Sequence, residues 1–123
     1  MTTLLLVDAP LAVRQALRAR LSLEPGLAIV GEADDAPLAI SLAHALDPDV
    51  VLLDAETPDL DSSELVRALA AQDPERGIVV LSQHSAVLRD GLQGTPAIVV
   101  GKHEGLAALV GAIRSAPRRS AGR

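Results

Sequence analysis

Five strands alternating with five helices, doubly wound about a parallel sheet, are what this 123-residue α/β sequence predicts. Three observations lead there. Short apolar runs recur at LLLV (4–7), LAIV (27–30), VVLL (50–53), IVVL (78–81) and AIVV (97–100). Each run is continuous rather than alternating, as in strands covered on both faces. The stretches between them are amphipathic at helical spacing, giving βα five times over. The length suits one domain with a single sizeable core.

The elements follow in order. The first run ends in Asp8, and Pro10 suits the first turn of a helix. On that helix Val13, Ala16, Leu17 and Leu21 share one face, opposite Arg14, Arg18 and Glu24. The second run ends in Gly31-Glu32, before a stripe of Leu38, Leu42, Ala45 and Leu46. The third ends in Asp54, and PDLDSSELVRAL then reads as loop, cap and helix, with Asp61 and Glu64 resembling a capping box. The fourth ends in Ser82, and SAVLRDGLQGTP offers only a weak fourth helix, eroded by Gly91 and Gly94. The fifth ends in Gly101-Lys102, with Leu106, Leu109, Val110 and Ile113 as the inner face of the last helix. The domain is expected over residues 1–115. Residues 116–123, including Arg118 and Arg119, read as a linker or disordered tail.

Composition excludes several functions. Apolar residues make up 49% of the chain and charged residues 22%, far from disorder. A net charge of −5 argues against a nucleic-acid-binding surface, which leans on Lys and Arg. No apolar run approaches the roughly 20 residues of a membrane span. MTTLLLVDAP lacks the basic flank of a signal peptide, so a cytoplasmic domain is expected. There is no cysteine and hence no thiolate chemistry. Phe, Trp and Tyr are also absent, which disfavours stacked nucleobases. His44, His84 and His103 show no metal-ligand spacing. Lys102 is the only lysine among eleven basic residues.

Open α/β sheets bind ligands beyond the carboxyl ends of their strands, where the strand order reverses. A 2-1-3-4-5 order makes strands one and three neighbours, bringing Asp8 beside Asp54 and placing Ser82 and Lys102 nearby. Carboxylate oxygens there suit Mg²⁺. An ammonium and a hydroxyl suit phosphoryl oxygens. On these grounds Asp54 can be a turn cap, a metal ligand or a nucleophile.

LLLVDAPLAVRQALRARL, VVLLDAETPDLDSSELVRAL, IVVLSQHS and VVGKHEG together resemble the receiver domain of two-component response regulators, over residues 3–115. The likeness is greatest to the NarL/FixJ-like subgroup, whose receivers precede a LuxR-type helix-turn-helix output. The resemblance implies a flavodoxin-like, CheY-like fold. It makes Asp54 the phospho-acceptor, Ser82 the switch hydroxyl and Lys102 the partner of the phosphoryl group. It implies Mg²⁺ held by Asp8, Asp54 and the Glu56 backbone carbonyl. It implies a sensor histidine kinase as donor, an attached DNA-binding output, a homodimer, and a regulatory rather than enzymatic role. The first and fifth helices, or the fourth-strand side, are the contact surface it points to.

Several residues depart from that pattern. Ala9 stands where the second of two adjacent acids is usual. Gln83 follows the hydroxyl where a small residue is usual, Val99 replaces the switch aromatic, and the Ser82-to-Lys102 spacing is short. The Glu56 side chain reads as a solvated loop acid, the alternative being an inward swing that partly compensates for the missing acid or equally repels a phosphate. These changes mark a degenerate acidic pocket in which Mg²⁺ is held weakly. They leave open a phosphorylation-independent pseudo-receiver, fixed by an Asp54–Lys102 ion pair and switched by a ligand or partner protein. A stand-alone interaction module is a further reading. A flavodoxin-like enzyme is disfavoured, since no glycine-rich phosphate loop follows strand one and no aromatic is present to flank a flavin.

Overall fold

The chain alternates β1 (Thr2–Val7), α1 (Leu11–Leu21), β2 (Leu27–Ala33), α2 (Ala36–Leu46), β3 (Val50–Asp54), α3 (Ser62–Gln72), β4 (Gly77–Ser82), α4 (Ser85–Gly91), β5 (Ile98–Gly101), a short 3₁₀ turn (Lys102–Glu104) and α5 (Leu106–Ser115). This computed structural model describes residues 1–8 and 11–117, without the side chains of residues 11–14. Ala9, Pro10, the faces assigned to Val13 and Arg14, and the tail with Arg118 and Arg119 lie outside the described residues. The strands form one parallel sheet in the order β2-β1-β3-β4-β5, as the sequence predicts.

The continuous apolar runs have a simple cause. Side chains alternate across a strand, so a strand buried on both faces needs an apolar residue at every position. In β1, Leu4 and Leu6 point to the layer that holds Leu21, Leu109, Val110 and Ile113. Leu5 and Val7 point the other way, toward Ala39, Ala43, Leu65 and Leu69. β3 repeats the division, with Val50 and Leu52 on one side and Val51 and Leu53 on the other. Each fully buried Leu or Val contributes about 1.5–3 kcal/mol of transfer free energy, so aliphatic residues alone suffice for this core.

The edge strand differs from the sequence reading. Gly31 and Glu32 lie inside β2, which runs on to Ala33. Leu4 pairs with Ile29 and Leu5 with Gly31, leaving Val30 as an exposed β-bulge. Gly31 leaves room for a close neighbour, because a Cβ there would sit 2.7 Å from Leu46 Cδ1 and move that side chain. The polar GEA segment therefore pairs with β1 although its composition reads as a loop.

The helices divide similarly. α5 buries Leu109, Val110 and Ile113 as expected, and Asp61 caps α3 by accepting from the Glu64 N–H at 3.0 Å. α4 is as weak as predicted, seven residues with none buried. On α1, Leu21 is buried and Leu17 half-buried, while Ala16 is exposed. The α2 stripe is out of phase. Ala39 and Ala43 face the core, whereas Leu38 and Leu46 are 40% and 42% exposed and Ala45 also faces outward. APLAISLAHAL is apolar almost all round, so small residues take the close contact with the sheet and larger ones the rim.

At the amino end of the sheet, Arg76 is 3% exposed. Its guanidinium donates to the carbonyls of Pro48 and Ala43, to Gln72 Oε1 and to Asp47 Oδ1. It ties the end of α2 to the starts of β3 and β4. The carboxyl ends of the strands remain for the site.

Candidate functional site

β1 and β3 are paired with Val7 opposite Leu53, so Asp8 and Asp54 leave neighbouring strands at the same level. Both are buried, Asp8 at 1% and Asp54 at 5% exposure. Ser82 ends β4 opposite Gly101 of β5, and Lys102 follows directly. The topology therefore gathers all four predicted residues at one end of the sheet.

The contacts centre on two carboxylates and one ammonium. Lys102 Nζ lies 3.0 Å from Asp54 Oδ1 and 3.0 Å from Glu56 Oε1. The Glu56 N–H also donates to Asp54 Oδ1, at 2.9 Å. Asp54 is thus both a cap on its own turn and an ion-pair partner. That turn is fixed further by Thr57 Oγ1, which donates to the Asp54 carbonyl at 2.7 Å, and by the Ala55 N–H, which donates to the Leu81 carbonyl at 2.9 Å.

Glu56 is not the solvated loop acid the sequence suggests. Its carboxylate turns inward and accepts from Ser82 Oγ at 3.1 Å and from the Gln83 N–H at 2.8 Å, besides Lys102. The His84 N–H donates to Ser82 Oγ at 2.8 Å, which aims the hydroxyl proton at Glu56. Ser82 therefore meets Asp54 only through Glu56. Gln83 and His84 act here through their main chain, which no side-chain motif announces. The one available signal was an acid two residues beyond Asp54 in a chain with a single lysine.

The electrostatics follow from these contacts. Burial alone would push the Glu56 carboxyl up. The Lys102 hydrogen bond, the Gln83 N–H, the Lys102 charge and the Ser82 hydroxyl outweigh it and hold Glu56 below its ordinary value. Burial likewise would lower Lys102, but Glu56 and Asp54 hold it above its ordinary value. Val99, buried at 7% exposure, lies in the core, and its carbonyl accepts from Arg89 Nη2.

The buried Asp8 and Asp54 carboxylates are hard oxygens of the kind Mg²⁺ takes, but among the described residues no three of His, Cys, Asp or Glu are grouped so as to hold a metal ion by side chains alone. A groove of about 650 Å³ opens beside these residues, lined by Glu56, Asp59, Asp61, Ser82, His84 and Val87 among others. It gives solvent and partners a route to the site. A second, mainly apolar groove of about 380 Å³ runs between α1 and α5, past Leu17, Leu81, Leu106 and Leu109.

The sequence and the fold match known proteins. The family described as response regulator receiver domain matches residues 4–114. A protein-glutamate methylesterase/protein-glutamine glutaminase 2 of Cereibacter sphaeroides is 41% identical over 81 residues, 66% of this chain and 22% of that protein. The nitrate/nitrite response regulator protein NarL of Escherichia coli (strain K12) is 35% identical over 80 residues, 65% of this chain and 37% of its own. The crystal structure of a LuxR-family two-component response regulator from Aurantimonas sp. SI85-9A1 superposes with a TM-score of 0.83 at 30% identity, covering 94% of this chain and 84% of that one. The matched stretch spans well under half the length of either curated relative.

Proposed function

Because the chain belongs to the response regulator receiver domains, we propose that it is the signal-receiving switch of a two-component system, with Asp54 as its phospho-acceptor. The observation that supports this most is the Asp54 carboxylate, 5% exposed at the tip of β3 and 3.0 Å from the chain's only lysine. The donor is a phosphohistidine on a sensor histidine kinase. Lys102 and the Glu56 N–H hold Oδ1, so Oδ2 attacks phosphorus. The phosphorus–nitrogen bond breaks, the imidazole leaves with its electron pair, and an acyl phosphate forms on Asp54. Lys102 and the Ser82 hydroxyl receive the phosphoryl oxygens. Asp8, Asp54 and the Glu56 carbonyl would hold Mg²⁺, which supplies neutralising charge to those oxygens, weakly because Ala9 replaces a second acid.

The switch drives an attached output. Similarity to NarL and to a LuxR-family regulator supports a DNA-binding helix-turn-helix and control of transcription. The match to 22% of a methylesterase/glutaminase supports an output of another kind as the alternative. In this reading the present chain regulates rather than catalyses, over residues 1–115 with a linker after them. It makes no nucleic-acid contact of its own, and it works in the cytoplasm where its kinase acts. Among the described residues no helix is long and apolar enough to cross a membrane. The apolar α1–α5 groove supports a homodimer formed through those two helices.

Intact mass after incubation with acetyl phosphate and Mg²⁺ tests the acceptor role. A phosphoryl adduct on the native chain, absent from Asp54→Asn, is expected. A folded native chain that takes no adduct at high Mg²⁺ overturns it. The second reading, a phosphorylation-independent switch, has one observation in its favour: Lys102 is already engaged by two carboxylates.

A further inference from the structure

Three donors converge on the Glu56 carboxylate beside Asp54: the Ser82 hydroxyl, the Gln83 N–H and the Lys102 ammonium, the last of which also pairs with Asp54. Together they would cradle the oxygens of a phosphoryl group on Asp54. In this structure all three bond the Glu56 carboxylate, Lys102 being shared with Asp54. Its two oxygens divide the work, Oε1 taking Lys102 and the Gln83 N–H, and Oε2 taking the Ser82 hydroxyl. The His84 N–H orients that hydroxyl from behind.

We infer that Glu56 is a built-in stand-in for the phosphoryl group, holding Ser82, Gln83 and Lys102 in their engaged positions on the unmodified chain. The proposal deepens the switch reading above, and rests on it for the identity of the group that Glu56 imitates. Two consequences follow from charge and shape. First, the loop between β4 and α4 is pinned toward Glu56 before any signal arrives, because Gln83 belongs to it and Ser82 ends the strand that enters it. Second, phosphorylation of Asp54 must expel Glu56. A phosphoryl group carries up to about two negative charges, and the one lysine cannot serve it and a carboxylate together. Expulsion has a path, since Glu56 lines the open groove and its side chain is 29% exposed.

Two readouts on the native chain, Glu56→Ala and Glu56→Gln separate the possibilities. Glu56 is part-exposed on a loop, so both variants retain the core. The first readout is the Gln83 amide in proton–nitrogen correlation spectra, without phosphodonor. In the native chain it is expected at low field, as befits an N–H bonded to a carboxylate. It moves upfield in both variants and returns when Glu56→Ala receives beryllofluoride and Mg²⁺. The second readout is adduct formation with acetyl phosphate, expected about tenfold faster in Glu56→Ala, the worth of one charge-assisted hydrogen bond. A Gln83 amide that ignores Glu56→Ala overturns the stand-in. So do adducts that form at equal rates in native and variant chains, although Asp54 then remains an acceptor. An amide that follows Glu56 while no chain takes an adduct supports the stand-in and removes phosphorylation of Asp54 instead.

Discussion

Replacing Lys102 with Met keeps an unbranched side chain one atom shorter and deletes the only cation that Asp54 and Glu56 are shown to share. The side chain of Asp54 is 6% exposed, those of Lys102 and Glu56 27% and 29%. Breaking a fully buried pair costs about 3–5 kcal/mol, and an exposed pair about 0–1. This site lies between, and Asp54 keeps its bond from the Glu56 N–H. A loss of about 2 kcal/mol at neutral pH is therefore expected. With a urea slope of about 1.5 kcal/mol per molar, the midpoint falls by about 1.3 M. Far-UV circular dichroism is the probe, since the chain has no aromatic residue to fluoresce. The difference also depends on pH. Glu56 is held below its ordinary value of 4.5, so its contribution is present above that value and is lost as pH falls through the depressed one. Lys102 is held above its ordinary 10.5, so its contribution is complete below that value and is lost as pH rises through the raised one. The gap between native and Lys102→Met is thus widest between about pH 5 and pH 10 and narrows beyond both ends. A gap below about 0.5 kcal/mol at pH 7, or one as large at pH 3 as at pH 7, refutes the reasoning.

Two further substitutions test the frame that positions the site. Arg76→Met strips donors from the Ala43 and Pro48 carbonyls and leaves Asp47 and Asp73 without their shared cation. A loss of about 3 kcal/mol is expected in urea melts, with the loss persisting in high salt because Arg76 is buried. Gly77→Ala places a methyl 2.7 Å from Ala116 Cβ and 2.8 Å from the Ala116 carbonyl carbon, where main chain must move. A loss of about 1–3 kcal/mol is expected from overpacking, and a melting temperature within a degree of native would contradict that contact.

The strands and their order were legible because burial on both faces leaves no freedom at each position, and VVLL or IVVL can serve little else. α3 was legible through Asp61, whose side chain reaches a main-chain N–H only three residues away. Features set by distant partners were not. β2 hides its last three residues because pairing with β1 passes through a bulge at Val30. α2 is apolar on most sides, so only the space over the sheet decides that Ala39 and Ala43 face it. Arg76 looks like an ordinary loop charge until Pro48 and Ala43, 28 and 33 residues away, turn their carbonyls to it. At the site, Asp54 and Lys102 were readable from strand ends. The direction of Glu56 was not, since it is set by one main-chain N–H group, a hydroxyl and the Lys102 ammonium.

The departures at the pocket become related once Glu56 is seen to face inward. Receivers of this kind usually present two adjacent acids after the first strand, and here the pair reads Asp8-Ala9. One negative charge is missing where a cation would bind. One has been added at Glu56, against the groups that would receive the phosphoryl oxygens. Asp54 and Glu56 thus share one lysine, and the added acid stands on the side that the proposal gives to the phosphoryl group. Both halves of that exchange act in one direction. On the proposed function, a thinner metal site would lower the drive to phosphorylate Asp54, and an occupied phosphoryl site would lower the need. Ala9 restored to an acid would strengthen the first half alone, and Glu56 removed would release the second. Only the two changes together return the pocket to a state that waits for its signal.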